Sequence, residues 1–289
     1  MLKGKKGLRV LFSVLLAVIV AVVALITDNT DINTVAEGEM LVDFIDVGQG
    51  DCTLIRATDT VILVDAGESG TADIVINYLR EKGIENIDCC IATHPHSDHV
   101  GALYRIFEEF SVDTVLLPDI PDELIPTTSA YEKFLDGLEN VKNIIPTGPS
   151  VSFDFGSLNV DILGPVEEYD DLNNMSLVVK VNFGKTSVML TGDAETPAET
   201  DMLENKSVDY SADILKVGHH GSKTSTSEEW LVAVNPRLAV ISCGLDNDYG
   251  HPHKDLVKRL ESCGIKYYRT DLQGHILFKS DGNEITLIK

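Results

Sequence analysis

From Met40 to the C-terminus the chain alternates between short apolar blocks and polar turns without a long break. Met40–Asp46 and Cys52–Ala57 read as strands around a Gly48-Gln49-Gly50 turn, and Thr60–Val64 as a third strand that closes at Asp65-Ala66-Gly67. Over Ala72–Lys82 the period changes. Ile74, Val75, Tyr78 and Leu79 recur at helical spacing, and Gly83 is placed to end the helix. Cys89–Thr93 then predicts a strand, Leu103–Phe110 a helix, Thr114–Leu117 a strand and Ser129–Leu138 a helix. The second half keeps the same rhythm, opening with two strand pairs, Val151–Phe155 with Leu158–Leu163 and Ser176–Asn182 with Ser187–Thr191. Helix and strand alternate after that, over Glu195–Leu203, Asp213–Val217, Glu228–Val234, Leu238–Ser242 and Lys254–Cys263, and three short strands close the chain within Lys266–Ile288. Two mixed sheets with helices on their outer faces, a four-layer αββα sandwich of the α/β class, fit this order best.

The first residues follow another pattern. Lys3, Lys5, Lys6 and Arg9 precede an apolar run from Val10 to Ile26 that is interrupted only by Ser13. Its 17 residues stand at the short end of what spans a bilayer and also fit the core of a secretory signal. No clean small-x-small cleavage site follows. An uncleaved single-pass anchor in the cell membrane is therefore expected over residues 1–27, with a secreted form as the alternative. Positive charges ahead of the span place the rest of the chain outside the cell. Residues 28–38 read as a polar linker, and 39–289 as the folded domain.

Charge changes this picture in one respect. With four of the 23 basic residues in the first nine positions, the remainder carries 19 against 46 acidic residues, about −27. Such a balance repels polyanions at long range and weighs against tight, non-specific nucleic-acid binding. Five cysteines, odd in number and without a CxxC, exclude a disulfide framework; Cys89 and Cys90 read as buried free thiols.

The chemistry concentrates in one hexapeptide. His94-Pro95-His96-Ser97-Asp98-His99 leaves the strand at Cys89–Thr93 and holds three of the chain's eight histidines. Imidazole and carboxylate together suit zinc, manganese or iron. Alternation along the loop lets His94 and His96 hold one ion while Asp98 and His99 reach a second. Asp193 ends the apolar strand at Met189–Gly192 and is placed to bridge the two, although in isolation it would read as a helix cap. His219 and His220 leave the strand at Asp213–Val217. At least one is expected to complete the second ion's shell, the other orienting substrate or moving protons. His251 and His253 follow the strand at Leu238–Ser242 and suit phosphate binding or acid catalysis. Asp65 can accept a hydrogen bond from a ligand histidine or a metal-held water.

These residues, in this order, resemble the HxHxDH pattern of the metallo-β-lactamase superfamily. Phe44-Ile45-Asp46-Val47-Gly48-Gln49-Gly50-Asp51, Asn173-Asn174-Met175-Ser176-Leu177, Leu190-Thr191-Gly192-Asp193, Leu215-Lys216-Val217-Gly218-His219-His220-Gly221-Ser222 and Gly250-His251-Pro252 are similar to the extracellular hydrolase-like domain of ComEC-type DNA-uptake proteins. The resemblance runs from about Met40 to the C-terminus. It implies a two-metal phosphodiesterase or nuclease outside the cytoplasm, with two divalent ions, Zn2+ or Mn2+. Catalytic roles are expected for Asp65, Asp98, His220 and His251, and metal ligation for His94, His96, Asp98, His99, Asp193, His219 and His220. Weaker substrate roles fall to Asn174, Lys216, Ser222 and His253. DNA is the implied substrate. The acidic balance keeps two rivals open: cell-envelope phosphoesters and lactone or lactam esters. A metal-stabilised surface domain without catalysis is the alternative from another class.

One departure stands out. Many superfamily hydrolases carry a further histidine between the hexapeptide and the Gly-Asp strand, but this chain has none between His99 and His219. The first ion would then rest on His94, His96 and Asp193, with Asn174 or water, which favours weaker binding or manganese over zinc.

Overall fold

Fifteen strands form two sheets in the computed structural model, which describes residues 33–289. The first sheet begins with β1 (Met40–Phe44), β2 (Thr53–Ala57) and β3 (Thr60–Val64), an antiparallel meander. β4 (Asn86–Ile91), β5 (Ser111–Pro118) and β6 (Asn143–Thr147) continue it in parallel. The last two strands, β14 (Ile276–Ser280) and β15 (Ile285–Leu287), cross back and join at β1. The chain's final residues thus complete its first sheet. The second sheet holds β7 (Val151–Phe155), β8 (Leu158–Gly164), β9 (Val178–Phe183), β10 (Thr186–Leu190), β11 (Ile214–Lys216), β12 (Leu238–Ile241) and β13 (Lys266–Arg269) in spatial sequence.

Three hydrophobic clusters separate the layers, and the period-two pattern of the strands sorts residues among them. Between the sheets lie Phe44, Ile55, Ile62 and Ile91 from one side and Val160, Val179, Val188 and Ile214 from the other. Leu54, Leu63 and Cys90 face outward from the first sheet. They pack under helices α1 (Ala72–Glu81), α3 (Leu103–Glu109) and α4 (Ser129–Gly137) through Val75, Leu79, Ile106 and Phe134. Met189 and Leu215 face out from the second sheet beneath α5 (Thr196–Glu204), α6 (Glu228–Val234) and α7 (Lys254–Ser262), with Trp230 and Leu256 between. Adjacent cysteines 89 and 90 fall on opposite faces of β4, each in apolar surroundings.

Element boundaries move by one to three residues from those the sequence predicts, and one strand was not foreseen. β6 contains Pro146, which cannot donate to a ladder. The strand survives because it is the edge of its sheet, hydrogen-bonded on one side only to β5. The expected anchor over residues 1–27, and residues 28–32 of the linker at 28–38, lie outside the described residues. Among the described residues no helix is long and apolar enough to cross a membrane.

Candidate metal centre

The site lies where the exits of β4, β10 and β11 meet. β4 and β11 are central strands, so their backbones are held on both sides and their exit loops start from fixed points. The hexapeptide leaves β4 and turns into a one-turn helix, α2 (Ser97–Val100). A Cβ on Gly50 (φ +147°) would stand 2.5 Å from Asp98 O, and Asp51 N donates to that same carbonyl at 3.1 Å. Glycine at 50 therefore lets the β1–β2 turn lie against the histidine loop and delivers Asp51 behind it. After β11, His219 and His220 both adopt left-handed backbone (φ +49° and +52°), a conformation costing of order 1–3 kcal/mol each for residues with a Cβ. His219 N donates to Gly192 O at 3.1 Å, which ties this loop to the residue before Asp193.

Asp193 is the centre. Its Oδ1 lies 3.2 Å from His99 Nε2 and 3.6 Å from His220 Nε2; its Oδ2 lies 3.8 Å from His94 Nε2 and 3.7 Å from His219 Nε2. On the Oδ1 side, Asp98 Oδ2 adds a second carboxylate 3.1 Å from His220 Nε2. On the Oδ2 side, His96 Nδ1 stands 3.0 Å from His94 Nε2. Two groups of donors thus share one carboxylate.

The far edges of the rings decide which nitrogen is free. His99 Nδ1 lies 2.8 Å from Asp65 Oδ2, which also accepts from Thr93 Oγ1 (2.7 Å), while Asp65 Oδ1 accepts from Thr93 N (2.8 Å). His220 Nδ1 lies 3.1 Å from Ser242 O, and His219 Nδ1 2.9 Å from Glu195 Oε1. A carboxylate or carbonyl can only accept, so each Nδ1 carries a proton and each ring turns its Nε2 toward Asp193. This is the orientation that an Nε2 metal ligand needs.

Electrostatics point the same way. Burial pulls His99 and His220 down, yet Asp193, with Asp65 for one and Asp51 for the other, raises His99 well above its usual range and His220 to about 9. Burial, then the neighbouring His99, drives His94 far below its usual value. Against the upward push of burial, His220 and His99 hold Asp193 well below the ordinary carboxylate range. The pocket is an anionic field that stabilises positive charge. His99 Nε2 and Asp193 Oδ1, buried and facing each other, have no hydrogen-bond partner. Orphaned donors and acceptors of this kind, all of metal-ligating type, fit divalent ions.

Residues 45–245 match the Metallo-beta-lactamase superfamily. The chain belongs to that family. ComE operon protein 3 of Bacillus subtilis is 32% identical over 270 residues, covering 84% of this chain and 33% of its own length. Recombination protein 2 of Haemophilus influenzae is 34% identical over 244 residues, covering 81% of this chain and 28% of its own. The chain therefore spans about a third of the length of these ComEC-like relatives. CmlA, a diiron beta-hydroxylase from Streptomyces venezuelae, shares the fold, with a TM-score of 0.57 and 18% identity over 88% of this chain and 55% of its own.

Within this metallo-β-lactamase fold the residues expected from sequence divide into two groups. His96, Asp98, Asp193, His219, His220 and His251 line a cavity of about 310 Å³, and His94 and His99 lie fully buried against Asp193. The His251 ring stands 5.6 Å from that of His219; burial, then its His220 neighbour, depresses it to about 4. Asp65 lies behind His99, out of the cavity.

Four weaker expectations need correction, because these side chains are already engaged elsewhere. Asn174 donates from Nδ2 to Asp171 Oδ2 (2.8 Å) and accepts at Oδ1 from Glu195 N (3.1 Å) and Ala198 N (3.3 Å). It therefore holds the start of α5 and ligates nothing; its neighbour Asn173 lines the cavity instead. Lys216 is buried with Nζ against Asp51 Oδ2, so its charge goes to that carboxylate rather than to a substrate. Ser222 Oγ pairs with Thr224 Oγ1 at 2.8 Å, and His253 Nδ1 accepts from Lys223 N at 3.0 Å; both brace the loop after His220.

Two residues escaped the sequence reading. Asp51 falls within a group with His99, Asp193 and His220 whose ligating atoms lie within 4.8 Å of one another. Direction argues against ligation, though. It faces the Nδ1 edge of His220 (3.2 Å) and of His99 (4.0 Å), behind the rings, while Asp193 faces their Nε2 atoms. Its position in the Gly48-Gln49-Gly50-Asp51 motif was the signal that could have found it. Glu195, two residues beyond Asp193, had no such signal.

Proposed function

We propose that the domain is a two-metal phosphodiesterase acting outside the cytoplasm, with DNA as the first substrate to test. The shared carboxylate carries this reading: Asp193 presents one oxygen to His99 and His220 and the other to His94 and His219, at the floor of an open cavity. Two divalent ions, zinc or manganese, would acidify a water and neutralise charge gathering on phosphorus. His94, His96 and Asp193 would hold one, and Asp98, His99, His220 and Asp193 the other. Asp65 and Ser242 O keep His99 and His220 in the ligating tautomer, so neither ring must reorganise as charge develops. His251, at the cavity wall, is placed to donate an N–H to a phosphoryl oxygen. Placement outside the cell rests on the basic N-terminus and its apolar run, and the membrane is the partner that run implies.

One observation favours a smaller substrate than DNA. Among the described residues, no lysine or arginine lines the cavity, and Lys216 is spent on Asp51. Affinity for a polyanion grows with basic contacts to its phosphates. A phosphoester of the cell envelope, contacting the protein chiefly through its reacting group, fits such a wall better.

The test uses the full-length chain in detergent, loaded with manganese or zinc, and Asp98→Ala as control. Cleavage of single- or double-stranded DNA that the substitution abolishes supports a nuclease. Turnover of a small chromogenic phosphodiester without DNA cleavage moves the substrate to envelope phosphoesters. No turnover of either by protein that holds its metals sinks the phosphodiesterase reading and leaves a lactone hydrolase or a binding domain.

A further inference from the structure

The reading above places His219 beside Asp193 but gives it to neither ion. Its Nδ1 sits 2.9 Å from Glu195 Oε1, an oxygen that also accepts from Thr224 Oγ1 at 2.9 Å. A carboxylate oxygen can only accept, so Nδ1 carries the proton and Nε2 is the nitrogen turned to Asp193 Oδ2, 3.7 Å away. At this distance no N–H···O hydrogen bond joins them. A ring nitrogen and a buried carboxylate oxygen held face to face without a hydrogen bond leave the place of a cation between them.

The spacing of His219 Nε2 and Asp193 Oδ2 suits one, and His219 stands at the edge of the tighter group formed by His94, His96 and Asp193. Donors bound to a single ion at bond lengths of about 2.0–2.2 Å stand roughly 3–4 Å apart. Asp193 Oδ2 sees His219 Nε2 at 3.7 Å and His94 Nε2 at 3.8 Å, and His94 Nε2 sees His96 Nδ1 at 3.0 Å. The loop holds His219 in this place at the cost of a left-handed backbone, locked by His219 N on Gly192 O and Ser222 N on His219 O (3.1 and 2.8 Å).

We infer that His219 is the third imidazole of the first ion, oriented by Glu195, in a chain that has no histidine between His99 and His219. The adjacent pair is thereby divided: His219 serves the ion on the Oδ2 side of Asp193, and His220 the ion on the Oδ1 side. Glu195 is a positioning residue. It touches His219, not the ion. The inference rests on the two-ion reading above but not on the identity of the substrate.

Metal content tests it without any turnover assay. Full-length wild type, His219→Ala and Glu195→Met would be loaded with zinc and desalted, and zinc per chain measured by mass spectrometry, with affinities from chelator competition. Two ions are expected in wild type. His219→Ala should keep one of them at unchanged affinity. Glu195→Met, which keeps the length of the side chain and removes the acceptor, should weaken the more loosely held ion about 10–100-fold, the usual effect of losing a partner behind a ligand histidine, and leave the other untouched. Should His219→Ala fail to fold, Glu195→Met carries the test alone. Two ions at wild-type affinity in either variant would overturn the inference and leave the two-ion reading standing. A wild-type chain that holds a single ion overturns both.

Discussion

The two sides of Asp193 share a carboxylate and little else. On the Oδ1 side, His99 and His220 have side chains 0% and 2% exposed, and each Nδ1 is tied to a buried acceptor, Asp65 or Ser242 O. Behind them Asp51 and Lys216 form a second buried pair. On the Oδ2 side, only His94 is fully buried. His219 is 24% exposed and leans on Glu195, which is 23% exposed. One pocket is part of the core. The other is assembled at the surface, from a loop and a helix start. The deep side should thus be preformed and slow to exchange, and the outer side the place where ions and substrate come and go.

Loss of the shared element gives the largest effect. Asp193→Asn should erase detectable turnover and reduce bound metal to less than one ion per chain, read by mass spectrometry. Two ions retained in that variant would show that the sides do not share it. Asp65→Asn is expected to lower affinity on the deep side alone, about 10–100-fold, because His99 loses the acceptor that sets its tautomer. Equal weakening of both ions would break the comparison. Metal removal should lower thermal stability by about 2.7 kcal/mol for each ion held at one hundred times its Kd, since only the folded chain assembles the donors. In a chelator titration the outer ion should leave first, and a simultaneous loss of both would argue against unequal sides.

The smallest effect expected is none. Burial raises the Cys52 thiol well above its usual value, with Asp65 and Asp51 adding to the shift, and burial lifts Cys243 to about 12. Cys89 and Cys90 are likewise buried and shifted up, so Cys263 alone is exposed. A thiol reagent at pH 8 should modify one cysteine in the metal-loaded protein. Because the deep side is held by its own hydrogen bonds, chelation should leave that count at one. Rapid reaction of Cys52, next to Asp51, would show that the deep side loosens without its ion.

Much of this was readable before the fold was known, for identifiable reasons. Strand period and turn glycines place most elements to within a few residues, because burial on both faces of a sheet imposes an apolar pattern that loops lack. His94, His96, Asp98 and His99 announce themselves because scarce residues crowd a single strand exit. Asn174, Lys216 and Ser222 were misjudged for the opposite reason. Their residue types suit substrate contact, and only the fold shows that their polar atoms are occupied. β6 was invisible because Pro146 argues against a strand unless its position at a sheet edge is known.

By itself the sequence determined the family, the layered architecture and the residue types gathered at the strand exits, all of which follow from local periodicity and from motifs close along the chain. What only the tertiary structure decided is direction. Asp51 stands behind the rings and not between them, Asp193 turns one oxygen to each group, and His219 and His220, adjacent in sequence, face different oxygens of the same carboxylate. A ligand set depends on where lone pairs point, and that is fixed by partners far away in the chain: Asp65 for His99, Ser242 for His220, and Glu195 for His219.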